Sequence, residues 1–166
     1  MFTRRFYLNS TAPFLMIAGT EDAIVDYQAN AAGIPKLVPH GTLLTIRDGS
    51  HVSFAAVAEP AMRFADHPDS MGCDALTANI DESATNPFVG LGDLSDGVNP
   101  ELTELTICGK PLGNAMHPGR QQMITQIGVL SFFQSQFAAE AEQRKAAREH
   151  LRKDLTMDFV EASITL

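Results

Sequence analysis

No stretch of this chain stays apolar for the ~20 residues that a membrane-spanning helix needs, because its apolar runs are short and broken by polar residues. A membrane span is therefore not expected. Basic residues are also scarce, 12 against 20 acidic ones, for a net charge of −8. That balance argues against nucleic acid or an anionic membrane as the main partner. Arg144, Lys145, Arg148, Arg152 and Lys153 crowd together near the C-terminus, which leaves the rest of the chain strongly acidic. There is no glycine-rich phosphate loop and no internal repeat. The N-terminus, Met1-Phe2-Thr3-Arg4-Arg5-Phe6-Tyr7, has two arginines but no apolar stretch behind them, since Asn9, Ser10, Thr11 and Pro13 intervene. No signal peptide is expected, and a cytoplasmic location follows if Met1 is the true start. Cysteine is limited to Cys73 and Cys108. Their spacing leaves open two half-buried thiols or one bridge; a bridge would imply an oxidising compartment, and secretion for a longer parent.

What is present suits a folded domain. Of the 166 residues, 45% are apolar and 19% charged, enough to build one core. Pro13 precedes a continuous apolar run, Phe14 to Ala18, which Gly19 ends. A run without alternation suits a strand buried on both faces of a parallel sheet. A helix is expected from about Val25 to Ala32, before Gly33 and Pro35 break it. Thr42 to Ile46 reads as a second strand, left through the loop Asp48-Gly49-Ser50, with His51 next. Val52 to Phe64 reads as a helix kinked or divided at Pro60.

Strands alternating with helices imply parallel pairing, so the fold class is α/β. Two strands are too few for such a sheet, which points to missing upstream sequence or a missing partner. Three regions follow. Residues 1–65 hold the strands. Residues 66–117 are a proline-, glycine- and aspartate-rich excursion with a short helix near Cys73 to Ala78. Residues 118–166 are helical. In that last region Met123, Ile127, Leu130, Phe133 and Phe137 make one apolar face, expected to pack on the sheet. Beyond Phe137 the helix is expected to run out into solvent, supported by the pairs Glu140–Arg144 and Glu149–Lys153.

Asp22, just after the first strand, and His51, just after the second, would both emerge at the carboxyl edge of a parallel sheet, where open α/β folds place their sites. A carboxylate that accepts the imidazole Nδ1–H fixes the tautomer and leaves the other nitrogen free to take a proton. Taken singly, Asp22 would be a turn former or helix cap and His51 a loop histidine. Glu21 and Asp26 are the rival carboxylates. His67 with Asp66 and Asp69 has the residue types of a metal site, but such loops are common solvated turns. His40 and His117 show no ligand spacing, and neither a metal nor a cofactor is expected. The stripe Arg144, Arg148 and Arg152 reads as a solvated face.

Pro13 to Val25, with Gly19-Thr20-Glu21-Asp22 at its strand end, resembles the α/β-hydrolase segment in which a strand ends in Gly-x-x-Asp. Gly41 to Ile46 followed by Gly49-Ser50-His51-Val52-Ser53-Phe54 is similar to that family's final strand and histidine loop. The acid precedes the histidine by 29 residues, with one helix and one strand between, in the family's order. Arg120-Gln121-Gln122 leading into Phe132-Phe133 is similar to its closing helix. The resemblance implies the C-terminal part of an α/β-hydrolase fold, with Asp22 and His51 as acid and base of a serine-hydrolase triad. Its nearest subgroups are the dienelactone-hydrolase-, lipase- and platelet-activating-factor-acetylhydrolase-like members, and the implied partner is a small-molecule ester or acyl substrate of the full-length parent. The departure from the pattern is the nucleophile: no Gly-x-Ser-x-Gly occurs, and Gly92-Asp93-Leu94-Ser95-Asp96-Gly97 has the wrong spacing. Ser50 and Ser53 lack the strained turn that would expose a nucleophile. The chain is thus expected to be a C-terminal fragment whose serine lies upstream. The alternative is a catalytically inactive truncated domain acting as an interaction or structural module. An exposed sheet edge would then allow self-association.

Overall fold

The computed structural model describes residues 2–78, 92–99, 107–109 and 111–166. Its centre is a three-stranded mixed sheet in the order β1-β2-β3. Strand β1, Phe14–Gly19, pairs in parallel with β2, Gly41–Ile46, in the register Phe14 to Gly41 through Gly19 to Ile46. Both strands form where the apolar runs place them, one residue longer. Strand β3, Ala162–Thr165, pairs antiparallel on the other side of β2 and was not expected from the sequence. Because β2 has neighbours on both sides, it is the most deeply buried strand, with Leu43, Leu44 and Ile46 at 2% exposure or less.

Alternate side chains of β2 serve opposite faces, as strand geometry requires. Leu44 and Ile46 join the main core with Ile124, Phe132, Leu151, Leu155, Phe159 and Ala162. Leu43 packs on the other face with Ala18 and Ala31, beside Tyr27, whose hydroxyl bonds the Thr45 hydroxyl at 2.8 Å. After the short N-terminal turn of helix α1, Arg4–Tyr7, the connection from β1 to β2 is two short helices. These are α2, Tyr27–Asn30, capped by the Asp26 side chain, and α3, Ile34–Leu37, which carries Pro35 in its first turn. The single helix expected from Val25 to Ala32 is therefore shorter, and Pro35 starts a helix where it was expected to end one. After β2 come a 3₁₀ turn, Val52–Phe54, and α4, Ala58–Met62. The division falls at Ala55–Val57, ahead of Pro60, which sits within the first turns of α4, where its missing N–H costs little.

The excursion is less irregular than its composition implies. Helix α5, Asp69–Thr77, begins four residues earlier than expected. A disulfide joins its Cys73 to Cys108, with Cα atoms 5.6 Å apart, so neither cysteine is a free thiol. Met116 N–H donates to the Asp48 carbonyl and Ala115 N–H to that of Asp66, which ties the end of the excursion to the loop after β2 and to its own start. The expectations for residues 79–91 and 100–106 lie outside the described residues.

Helix α6, Pro118–Phe137, crosses the sheet, but not on the face that its large side chains suggest. Of the expected face, Ile127 packs against the core, but Met123, Leu130, Phe133 and Phe137 are about half to 70% exposed. The buried face is Gln121, Ile124, Gly128, Ser131, Phe132 and Ser135. Both stripes have helical spacing; the small one wins because it lets the helix come closer. A Cβ on Gly128 would stand 2.5 Å from Leu44 Cδ2. Nor does the helix run on into solvent. It stops at Phe137, where Arg144 donates to the carbonyls of Ala138 and Ala139 and Arg148 to that of Ser135. Cations there offset the helix's negative end and its orphan carbonyls. Helix α7, Ala141–Glu149, then packs back along α6, followed by a π-helical turn, His150–Asp154, by α8, Leu155–Asp158, and by β3. Two of the three striped arginines thus cap a helix. Among the described residues no helix is long and apolar enough to cross a membrane.

Candidate active site

Beyond their last paired residues, β1 and β2 remain joined. Thr20 N–H donates to Ile46 O, Glu21 N–H to Gly49 O at 2.9 Å, and Asp48 N–H to the Thr20 hydroxyl. The close approach depends on two glycines. A Cβ on Gly19 would overlap the Gly49 carbonyl and lie 2.9 Å from its Cα. Asp48 turns the chain with a positive φ of 61°, a conformation that aspartate tolerates better than most residues.

This arrangement brings Asp22 and His51 together. His51 Nδ1 lies 3.0 Å from Asp22 Oδ2, while Asp22 Oδ1 accepts the N–H groups of Ile24 and Val25. The Asp22 side chain is 8% exposed and that of His51 is 42% exposed. Asp22 therefore behaves both as a turn former and as the partner of the imidazole. The hydrogen bond to Asp22 raises the His51 pKa above the ordinary imidazole value; burial opposes it, and the charges of Asp22 and Asp69 reinforce it. With Nδ1–H donated to Asp22, Nε2 is the nitrogen left to accept a proton, and no described residue bonds it.

The rival carboxylates are placed elsewhere. Asp26 caps α2 through Ala29 N–H, and Glu21 enters this network by its backbone. Ser50 and Ser53 are fully buried and bond each other, Oγ to Oγ at 2.7 Å, so neither is presented to a substrate. A second serine–histidine contact, Ser131 Oγ to His150 Nδ1 at 2.9 Å, borders a cavity of about 570 Å³ between α6 and α7. Ser131 is 5% exposed, and no described carboxylate bonds His150.

Three residues that the sequence placed in other roles, Asp69 and His67 as types of a metal site and Gln121 in the closing helix, support these loops. Asp69, wholly buried at the start of α5, accepts N–H groups from Ala23 and His51 on Oδ2 and from Val52 on Oδ1. His67 accepts the Asp69 N–H at Nδ1, and its Nε2 contacts the Glu21 carbonyl at 3.1 Å, which sets its tautomer. Gln121, also wholly buried, makes two bonds to the backbone of Ser50. The available signal for Asp69 was an aspartate just after a proline at a helix start, which resembles an ordinary first-turn acid. His67 and Asp69 thus serve the backbone of these loops, which accounts for the residue types that suggested a metal site.

No protein-family model matches this chain, and neither a curated protein nor a solved structure does.

Proposed function

We propose that the chain carries the acid and base of a Ser-His-Asp triad, as the C-terminal part of a serine hydrolase of the α/β-hydrolase fold. The nucleophile and oxyanion donors would come from outside these residues. The supporting observation is the buried Asp22 carboxylate 3.0 Å from His51 Nδ1, with Nε2 bonded by no described residue beside the carboxyl ends of two parallel strands. In this reading a serine attacks the carbonyl carbon of a carboxylic ester or related acyl substrate. His51 Nε2 takes the serine proton and then returns it to the leaving group, while Asp22 holds the ring and stabilises the imidazolium. The Cys73–Cys108 bridge favours an oxidising compartment for the parent protein. In that full-length parent, His51→Ala and Asp22→Ala should each lower ester hydrolysis by orders of magnitude. Near-parental rates in both would remove the triad assignment. The chain alone should not react with a fluorophosphonate probe; stoichiometric labelling would place the nucleophile within it.

One observation favours a second reading, a catalytically inactive interaction module. Among the described residues no strand pairs with β1 on the side away from β2. Left without a described strand partner, that edge is one through which the chain could associate with itself. Concentration-dependent dimerisation, lost when a proline replaces Leu15 or Met16, would support it.

A further inference from the structure

The two loops that carry Asp22 and His51 are not held together by their own contact alone. Their backbones converge on one carboxylate from a distant part of the sequence. Asp69 Oδ2 lies 3.0 Å from both Ala23 N and His51 N, and Oδ1 lies 2.7 Å from Val52 N. One bond thus reaches the residue after Asp22, another the histidine itself, and the third its successor. All three partners are N–H donors, which suits a carboxylate and not an amide: an asparagine would turn its NH2 toward at least one of them. The residue is wholly buried, so water cannot replace a lost partner.

Asp69 is itself anchored at both ends. His67 accepts its N–H and contacts the Glu21 carbonyl. Helix α5, which starts at Asp69, is bridged from Cys73 to Cys108, and Cys108 N–H donates to the carbonyl of Ala23 at 2.7 Å. Ala23 is thereby gripped on both its polar groups by one helix and its disulfide partner.

We propose that Asp69 is the positioning residue of this site, a buried carboxylate that clamps the acid loop to the histidine loop so that Asp22 meets His51 Nδ1. The assignment rests on the proposed triad and adds to it a residue that touches no substrate.

The test is nuclear magnetic resonance on the full 166-residue chain, reading the His51 imidazole titration and amide exchange in wild type, Asp69→Asn, Asp22→Asn and Gln121→Leu. Asp69→Asn should shift the His51 midpoint down toward the ordinary imidazole value. It should also speed exchange at Ala23, His51 and Val52 together, on the order of tenfold or more. Gln121→Leu loosens the histidine loop without touching Asp69, so it should leave Ala23 protected. If Asp69→Asn leaves the titration and all three amides as in wild type, Asp69 is no clamp. If Asp69→Asn does not fold, the wild-type chain decides: the Ala23, His51 and Val52 amides should exchange through one shared opening, with equal opening free energies, and clearly different ones overturn the proposal. Asp22→Asn separates the two ideas. A His51 titration unmoved by it would sink the acid–base pair whatever Asp69 does, whereas a lowered midpoint there with no effect of Asp69→Asn would sink the clamp alone.

Discussion

Gly19→Ala adds one methyl group to the molecule at the point where the acid and histidine loops touch. The new Cβ would overlap the Gly49 carbonyl carbon and oxygen and sit 2.9 Å from its Cα. These are backbone atoms, so no side chain can rotate away, and relief requires the two strand ends to part. Parting them weakens the Glu21 N–H bond to Gly49 O, now 2.9 Å, and stretches the 3.0 Å contact between Asp22 and His51. Overpacking of this kind costs about 1–3 kcal/mol, and the loss of a backbone hydrogen bond about 1 kcal/mol more. A total near 3 kcal/mol should lower the melting temperature of a chain this size by roughly 6–12 °C. Gly113→Ala is the control, since nothing lies within 4 Å of a Cβ there. It should be neutral or slightly stabilising, by under about 1 kcal/mol, because alanine restricts the unfolded chain. Circular-dichroism melts of the two variants make the comparison. Equal melting temperatures would refute the argument that the glycine of Gly-x-x-Asp is required by the close approach of these loops.

The same melts apply to the remaining predictions. Cys73→Ser opens a bridge spanning 35 residues, and the chain-entropy relation for a loop of that length predicts a loss of about 4 kcal/mol, or on the order of 10 °C; a change within about 2 °C would show that the bridge adds little. The Asp22–His51 pair should also leave a pH signature. Because folding raises the His51 pKa, chiefly through Asp22, the pair's contribution is fully present below the unfolded value of about 6.5 and fades as pH rises through the folded one. The melting-temperature gap between wild type and Asp22→Asn should thus be widest near pH 6 and shrink toward pH 9, and a gap that grows with pH would contradict the pairing.

How far the sequence reveals this structure depends on what each residue signals locally. Strand β1 is legible because five apolar residues in a row, fenced by proline and glycine, have few other uses, and β2 because its threonines, leucines and isoleucine are β-prone and lie between Gly41 and the Asp48-Gly49 turn. From them follows the meeting of Asp22 and His51, since parallel neighbours deliver their following loops to the same edge. Strand β3 is not legible: Ala-Ser-Ile-Thr is four residues long, follows a charged helical stretch, and acquires its role only by pairing with β2. The helix α6 face was misread for a related reason. Periodicity marks the stripe of Met123, Ile127, Leu130, Phe133 and Phe137, of which Ile127 reaches the core, but contact distance decides, and Gly128 with Ser131 and Ser135 allows the closer approach. Asp69 is the extreme case. Its partners lie 46, 18 and 17 residues away, and no local pattern distinguishes it from a solvated turn acid.

That same distance bears on what the proposed enzyme would still require. Among the described residues, the contacts that orient the pair are the Ile24 and Val25 N–H groups on Asp22, the Gly19–Gly49 approach, Gln121 under Ser50, and Asp69 across both loops. In a triad the imidazole must be held in one tautomer and orientation before the serine can use it. Here that ordering is met by residues 19 to 121 alone. A strand added at the β1 edge away from β2, where no described strand pairs, would therefore need to bring only a nucleophile and oxyanion donors to His51 Nε2, and would not have to build the acid–base pair. The consequence separates the two readings of the chain. An inactive module has no need for a wholly buried aspartate that positions a histidine whose outer nitrogen no described residue bonds, whereas a hydrolase completed by further sequence does.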